Sequence, residues 1–166
     1  MIPKHTVFVI AFVLFFSVFP ASIPADEPLM SHLPLTKEKA VVRTDFSNPE
    51  EWKAVCDAIQ RPSDEGFRAH VDFVDDKAFN GASLHQILSA LPPKYPHSFV
   101  FIVDEKTIAT KDHPILVVKL GKTPGKTFRA LPSTIQVIEN NLSIGNRSFS
   151  EFADSLDESG VYRGPK

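Results

Sequence analysis

Acidic residues follow three predicted strands of this chain, at the point where each strand ends. Asp45 follows the first strand, Asp75 and Asp76 follow the second, and Asp104 and Glu105 follow the third. Parallel strands end at one edge of a sheet, and open α/β sheets bind their ligands there, so these carboxylates are the candidate ligand site. Clustered carboxylates are also what a hard cation such as Mg²⁺ or Ca²⁺ requires. The alternative is a structural role, because Asp after a strand commonly caps a helix or forms a turn.

The remaining reactive side chains form no recognisable catalytic pattern. Cys56 is the only cysteine, and it falls on the apolar face of a predicted helix, where a thiol acts as a small hydrophobe. No histidine pair has zinc-ligand spacing such as H-x-x-x-H. The sequence also contains no G-x-S-x-G, G-x-G-x-x-G or P-loop motif. We therefore predict no cofactor, with a divalent cation at the acidic residues as the alternative.

Three arginines and the single tryptophan complete the set of candidate residues. Arg43, Arg68 and Arg129 lie on or beside predicted strands, where they would bind an anion or pair with the acidic residues. Ion pairing is the preferred interpretation, since guanidinium and carboxylate groups match in geometry. Trp52 belongs to the apolar stripe of the first helix, which favours core packing over stacking on a ligand.

The elements that must position these side chains follow from hydrophobic periodicity and capping signals. The predicted strands cover residues 40–44, 67–74, 98–103, 115–120 and 127–131. The predicted helices begin at the capping residues Asn48, Ser83, Ser133 and Ser148. This order predicts a single α/β domain over residues 40–164, with a mixed sheet of about five strands and about four helices. The first three strands are expected to be parallel, because the connections between them carry helices.

The first 25 residues have the layout of a secretory signal peptide. Lys4 precedes the apolar run Val7–Phe19, in which Ser17 is the only polar side chain, and Ala25 offers a small residue for cleavage. The run is too short for a membrane span, so an uncleaved anchor is the weaker alternative. We expect residues 26–39 to form an exposed lead-in, and the mature protein to be secreted, or periplasmic or exported if the host is bacterial. No membrane span is expected after cleavage.

Composition sets further limits on function. The chain has 166 residues, 43% of them hydrophobic, and a formal net charge of −2, which is typical of one globular domain. A nucleic-acid partner is not expected, because such proteins carry a basic patch. Asn141 and Asn146 each begin an N-x-S sequon, and they are glycosylation candidates if the host is a eukaryote.

Several segments together resemble a family of small, mostly bacterial proteins known only as a domain of unknown function. The resemblance covers residues 40–164, and it implies no activity, substrate or catalytic residue. The predicted leader is a departure from the usual members. The segments are Val42-Arg43-Thr44-Asp45-Phe46, Phe73-Val74-Asp75-Asp76, Glu139-Asn140-Asn141-Leu142-Ser143, Phe149-x-x-Phe152-Ala153-Asp154 and Gly160-Val161-Tyr162-Arg163-Gly164.

Two hypotheses of function from different classes remain from the sequence, and a third, a secreted effector that acts on a host, is not separated from the first of them by the sequence. The first is a secreted, non-enzymatic binding or interaction module, whose partner is expected to be a protein. The alternative is a small hydrolase-like enzyme that depends on a divalent metal held at the acidic edge of the sheet. Clustering of the carboxylates of Asp45, Asp75 and Asp104 within a few ångströms would favour the enzyme, whereas dispersed carboxylates, each satisfied by a backbone N–H, would favour the binding module.

Overall fold

The protein was examined as a computed structural model, which describes residues 31–165. The predicted signal peptide, residues 1–25, and the first part of the predicted lead-in, residues 26–30, lie outside the described residues. Across the part of the chain that is described, no helix is long and apolar enough to cross a membrane.

Six strands and five α-helices make up the described domain. The strands are β1 (Lys39–Arg43), β2 (Val71–Val74), β3 (Phe99–Val103), β4 (Ile115–Lys119), β5 (Thr127–Ala130) and β6 (Val161–Tyr162). The helices are α1 (Pro49–Gln60), α2 (Leu84–Ser89), α3 (Glu105–Ala109), α4 (Ile135–Ile144) and α5 (Phe149–Ala153). Single 3₁₀ turns, Lys77–Phe79 and Pro132–Thr134, precede α2 and α4.

All six strands form one mixed sheet in the order β2-β1-β3-β4-β5-β6. β1 lies between β2 and β3 and is parallel to both, which confirms the predicted parallel arrangement of the first three strands. β4 is antiparallel to β3 and to β5, and β6 adds a parallel edge to β5. The prediction of a single α/β domain with a mixed sheet is therefore confirmed, with one more strand and one more helix than expected.

Both faces of the sheet are covered by helices. β3 is buried along its whole length, because Phe99, Phe101 and Val103 face one core while Val100 and Ile102 face the other. The first core also contains side chains from α1, α4 and α5, and the second contains side chains from α2 and the 3₁₀ turn before it. The continuous apolar run of β3 thus reflects burial on two faces, as the sequence predicted.

Capping residues set most of the helix boundaries where the sequence placed them. Asn48 accepts hydrogen bonds from the backbone N–H groups of Glu50 and Glu51 at the start of α1. Ser83 and Ser148 each form a complete capping box, at the starts of α2 and α5. The prediction that Ser133 caps a helix is wrong, because Pro132–Thr134 forms a 3₁₀ turn and α4 begins after it without a side-chain cap.

Other differences from the sequence prediction come from turns and from tertiary contacts. β2 begins at Val71 rather than Phe67, because a turn over residues 63–67 leaves the Phe67 side chain 62% exposed. α3 and β6 were not predicted, since a five-residue helix and a two-residue strand carry almost no periodicity. The lead-in is not uniformly exposed, because Leu33 is buried in the second core and its N–H donates to the carbonyl of Ala90.

The burial of β3 predicts that Phe101→Ala strongly destabilises the protein. Phe101 is 0% exposed and packs edge-on against Phe99, and truncating a buried Phe typically costs about 3–5 kcal/mol. Urea denaturation should show that loss in the free energy of unfolding. Phe67→Ala is the matched control, and it should change stability by less than about 0.5 kcal/mol because the ring is exposed. Equal midpoints for the two variants would contradict the central position of β3.

Candidate functional site at the carboxyl edge of the sheet

A shallow cleft opens between the carboxyl ends of β1 and β3, which we call the β1–β3 cleft. The connection from β1 runs outward to β2, whereas the connection from β3 runs to β4 on the other side. This divergence marks a topological switch point, the usual place of ligands in open α/β sheets. The cleft has a volume of about 320 Å³, and it is lined by Thr44, Gly81, Ala82, Asp104, Glu105 and Lys106.

The backbone at the base of the β1–β3 cleft is held by hydrogen bonds among the end of β1, the end of β3 and the loop that contains Gly81. Thr44 is 4% exposed, and its N–H donates to the carbonyl of Val103 at 2.9 Å. The carbonyl of Thr44 in turn accepts from the N–H of Gly81 at 2.8 Å. Gly81 adopts a φ of +73°, which a side chain would strain. The floor is therefore built from peptide groups that are already satisfied.

A buried arginine joins two of the predicted acidic positions beside this cleft. Arg43 is 5% exposed, and its Nη1 lies 3.2 Å from Asp75 Oδ1 while its Nε donates to the carbonyl of Asp45. The Trp52 indole N–H donates to the other carboxylate oxygen of Asp75 at 3.1 Å. The guanidinium also lies over the Phe46 ring at 4.3 Å and near the Trp52 ring at 5.3 Å. Asp75 is thus the counterion of Arg43, and it holds the side chains of Arg43 and Trp52 in place.

Asp104 is engaged in a second cluster, at the end of β3. Arg129 holds it with two parallel hydrogen bonds, Nη1 to Oδ1 at 3.0 Å and Nη2 to Oδ2 at 2.6 Å. Asp104 Oδ1 also accepts from the N–H and the hydroxyl of Thr107, so it caps α3. Burial by itself would raise the pKa of Asp104, but the hydrogen bonds from Arg129 and Thr107 outweigh it and keep that pKa below its ordinary value.

The other three predicted acidic residues lie at the same edge without forming a cluster. Asp45 accepts the N–H of Ser47 at 2.7 Å, and Asp76 accepts the N–H of Ala78 at 2.9 Å, so both close local turns. Glu105 is exposed and lines the β1–β3 cleft. Within residues 31–165, no group of three or more His, Cys, Asp or Glu side chains is arranged to hold a metal ion. The shared edge therefore does not bring three of these carboxylates into a metal-binding arrangement.

Two of the three candidate arginines form the ion pairs that the sequence favoured. Arg43 pairs with Asp75 and Arg129 pairs with Asp104. Arg68 instead donates to the carbonyl of Gln60 and stays exposed. Trp52 is 7% exposed and packs edge-on against Phe73, which agrees with the predicted core position.

Cys56 lies half-buried against the first core, on the apolar face of α1. Burial, aided by the nearby negative charges of Asp75 and Asp57, raises the pKa of the Cys56 thiol to about 12. The thiol is therefore protonated at neutral pH and is a poor nucleophile. This agrees with the structural role that its position in the helix indicated.

The two sequons differ in how their asparagines are held. Asn141 lies within α4, where its side-chain amide donates to the carbonyl of Val137 at 2.8 Å. Asn146 is exposed and follows Gly145, the left-handed residue that ends α4, and it donates to Asn141 Oδ1 at 2.6 Å. A glycan on Asn146 would extend from an exposed turn, whereas one on Asn141 would disturb the last turns of a helix. Asn146 is therefore the better acceptor of the two.

Sequence analysis named Asp104 and Glu105 but missed the other residues that line the β1–β3 cleft. Thr44 was assigned to a strand, Gly81 was not considered, and Lys106 belongs to a helix that was not predicted. Asp104 followed by Thr107 is a helix-start pattern that would have indicated α3. Gly81, which follows the Asp75-Asp76 pair, would have indicated a turn in the loop that donates a hydrogen bond to Thr44 at the end of β1.

The paired geometry predicts that Asp104→Asn destabilises the protein by about 1.5–3 kcal/mol at neutral pH, because Arg129 loses a charged acceptor. A lowered folded-state pKa stabilises the fold above the ordinary value of 3.8 and stops doing so as the pH falls through the folded pKa. Unfolding curves for the variant and the parent protein should therefore converge in acid. Asp76→Asn is the control, since Asp76 caps a turn without an arginine partner. An equal loss in both variants would contradict the role assigned to Arg129.

A comparison with protein families places this chain in a family. No curated protein matches the chain. A family model described as a domain of unknown function, DUF6924, matches residues 38–165, nearly all of the described part. This confirms the resemblance to a domain of unknown function, and the chain belongs to the DUF6924 family.

Proposed function

We propose that this protein is an exported, non-enzymatic binding module that holds a protein segment at the β1–β3 cleft. The observation that carries the proposal is that the aspartate side chains at this edge accept hydrogen bonds from within the protein. Asp45, Asp75, Asp76 and Asp104 each accept a hydrogen bond from a backbone amide or a neighbouring side chain. A general base or a metal site needs acceptors that are free to act on a ligand.

The surroundings of the cleft support recognition of a polypeptide. Glu105 and Lys106 present opposite charges at the rim, and both are exposed. Asp76 and Lys77, on the neighbouring loop, are exposed as well. Loops held on a rigid scaffold are a common place for binding residues. Mixed charges around a shallow cleft favour selection of a partner with a complementary pattern of charge.

The proposal includes export, for which the support is the sequence of the leader. We expect the mature chain to begin at Asp26, after cleavage at Ala25, because a short apolar run with a basic start and a small residue at the cleavage position is typical of signal peptides. N-terminal sequencing of protein recovered outside the cell tests this. Recovery of a chain that retains Val7–Phe19 would contradict it.

The binding surface is tested with a photo-crosslinking amino acid at position 106 and, as the matched control, at position 122. Lys122 is also an exposed lysine, but it follows β4, which ends at the opposite edge of the sheet. We expect a protein partner from the extracellular fluid to crosslink at position 106 only, and Lys106→Glu to weaken its binding about tenfold while Lys122→Glu leaves it unchanged. Equal crosslinking at the two positions would contradict the assigned surface.

A titration with cations separates this proposal from the metal-dependent alternative. Binding of a cation at 100 times its dissociation constant would stabilise the fold by about 2.7 kcal/mol. With the carboxylates engaged as described, millimolar Mg²⁺, Ca²⁺ or Mn²⁺ should leave the thermal midpoint unchanged. A saturable rise that Asp75→Asn and Asp104→Asn abolish would favour the hydrolase-like enzyme instead.

A further inference from the structure

β2 is the outermost strand on one side of the sheet, and its outer side has no neighbouring strand among the described residues. We call residues 69–74 the β2 edge. Beyond the pairing of β2 with β1, one backbone group of the β2 edge hydrogen bonds to another described residue, the N–H of His70, which donates to Glu139 Oε2 at 3.3 Å. An open strand edge is a template for pairing with a further strand.

The open backbone groups of the β2 edge belong to alternate residues. Glu139, which accepts from the N–H of His70, also forms an ion pair with Lys39 at the start of β1, at 3.0 Å. The N–H of His70 therefore points to the β1 side of the strand. Successive peptide groups of an extended strand point to opposite sides, so those of the odd-numbered residues of the β2 edge point outward. These are the groups with which a further strand would pair.

The two faces of the β2 edge differ in chemistry. On one face, Ala69 is buried in the first core, and Val71 and Phe73 are partly buried against it. The other face carries His70, which is exposed and whose ring makes no hydrogen bond to another described residue, and Asp72, which is partly exposed. A matching strand must therefore offer apolar side chains on one face and the opposite charge pattern on the other.

The β2 edge of a second copy of this chain meets both requirements in one antiparallel register. A twofold axis through Val71 sets His70 opposite Asp72 of the second copy, and the symmetry repeats this pair on the other side of the axis. The same axis sets the small Ala69 opposite the large Phe73, and Val71 opposite its own copy. Unlike groups therefore face each other on the polar face, and apolar groups face each other on the apolar face.

The neighbouring registers lack this complementarity. An axis through Asp72 would set two carboxylates directly opposite each other, and like charges in that position destabilise a sheet. An axis through Phe73 would set Asp72 opposite Val74, a residue of the second core that is 6% exposed. Parallel pairing about a twofold axis would set each charged side chain beside its own copy. The register centred on Val71 is thus the one that the side chains favour.

We propose that the β2 edge pairs with the β2 edge of a second copy, in the antiparallel register centred on Val71, and joins the two six-stranded sheets into one. In this register His70 and Asp72 fall between the hydrogen-bonded pairs, where opposite side chains come closest, so the imidazole N–H donates to the carboxylate. The pairing also covers the exposed parts of Val71 and Phe73. It is independent of the binding proposed at the β1–β3 cleft, which shares no residue with the β2 edge.

Analytical ultracentrifugation of the purified protein over a range of concentrations tests the pairing. A single pair of short strands makes a small interface, so we expect a weak dimer that dissociates on dilution. His70→Lys should strengthen the dimer about tenfold, because a full positive charge then faces Asp72 at two places, and His70→Asp should weaken it at least tenfold. The same substitutions at His85, an exposed histidine of α2, are the matched controls and should leave the dimer unchanged. A monomer at all concentrations, or a dimer that His70→Asp leaves intact, would overturn the proposal.

An exchange of the two side chains tests the register. The double variant His70→Asp with Asp72→His again sets unlike groups opposite each other, so it should dimerise more strongly than His70→Asp alone. Circular dichroism checks that each variant is folded, because Asp72 Oδ2 accepts from the N–H of Glu38 and its loss costs stability. If the double variant does not fold, the His70 variants remain the test, since the His70 ring makes no hydrogen bond within the described chain. A folded double variant no better at dimerising than His70→Asp would overturn the register.

Discussion

The rest of the structure depends on the burial of β3 on both of its faces. Each face must be covered by a helical layer, so the connections place α1, α4 and α5 on one side and α2 on the other. The ends of the strands are left outside these layers, and the β1–β3 cleft lies at one of them.

The buried arginines at the carboxyl edge of the sheet are paired within the fold. At the carboxyl edge, Arg43 and Arg129 are each paired with an aspartate, so the charges there stabilise the loops that frame the cleft. This arrangement favours recognition by shape and by exposed rim residues.

The segments that carry the resemblance to the DUF6924 family meet in space. Arg43 and Asp75 come from two different segments and form one ion pair beside the Phe46 and Trp52 rings. Arg147 similarly contacts Phe152 and Tyr162, which come from two further segments. These contacts hold the loops and helices of different segments to one another.

The sequence by itself determined the fold class, the parallel arrangement of the first three strands and most helix starts, because periodicity and capping are local properties that Asn48, Ser83 and Ser148 express directly. It also placed the acidic residues at one edge. Only the tertiary structure decided what those residues do, since Arg129 reaches Asp104 from another strand across the sheet, and such a contact leaves no spacing in the sequence.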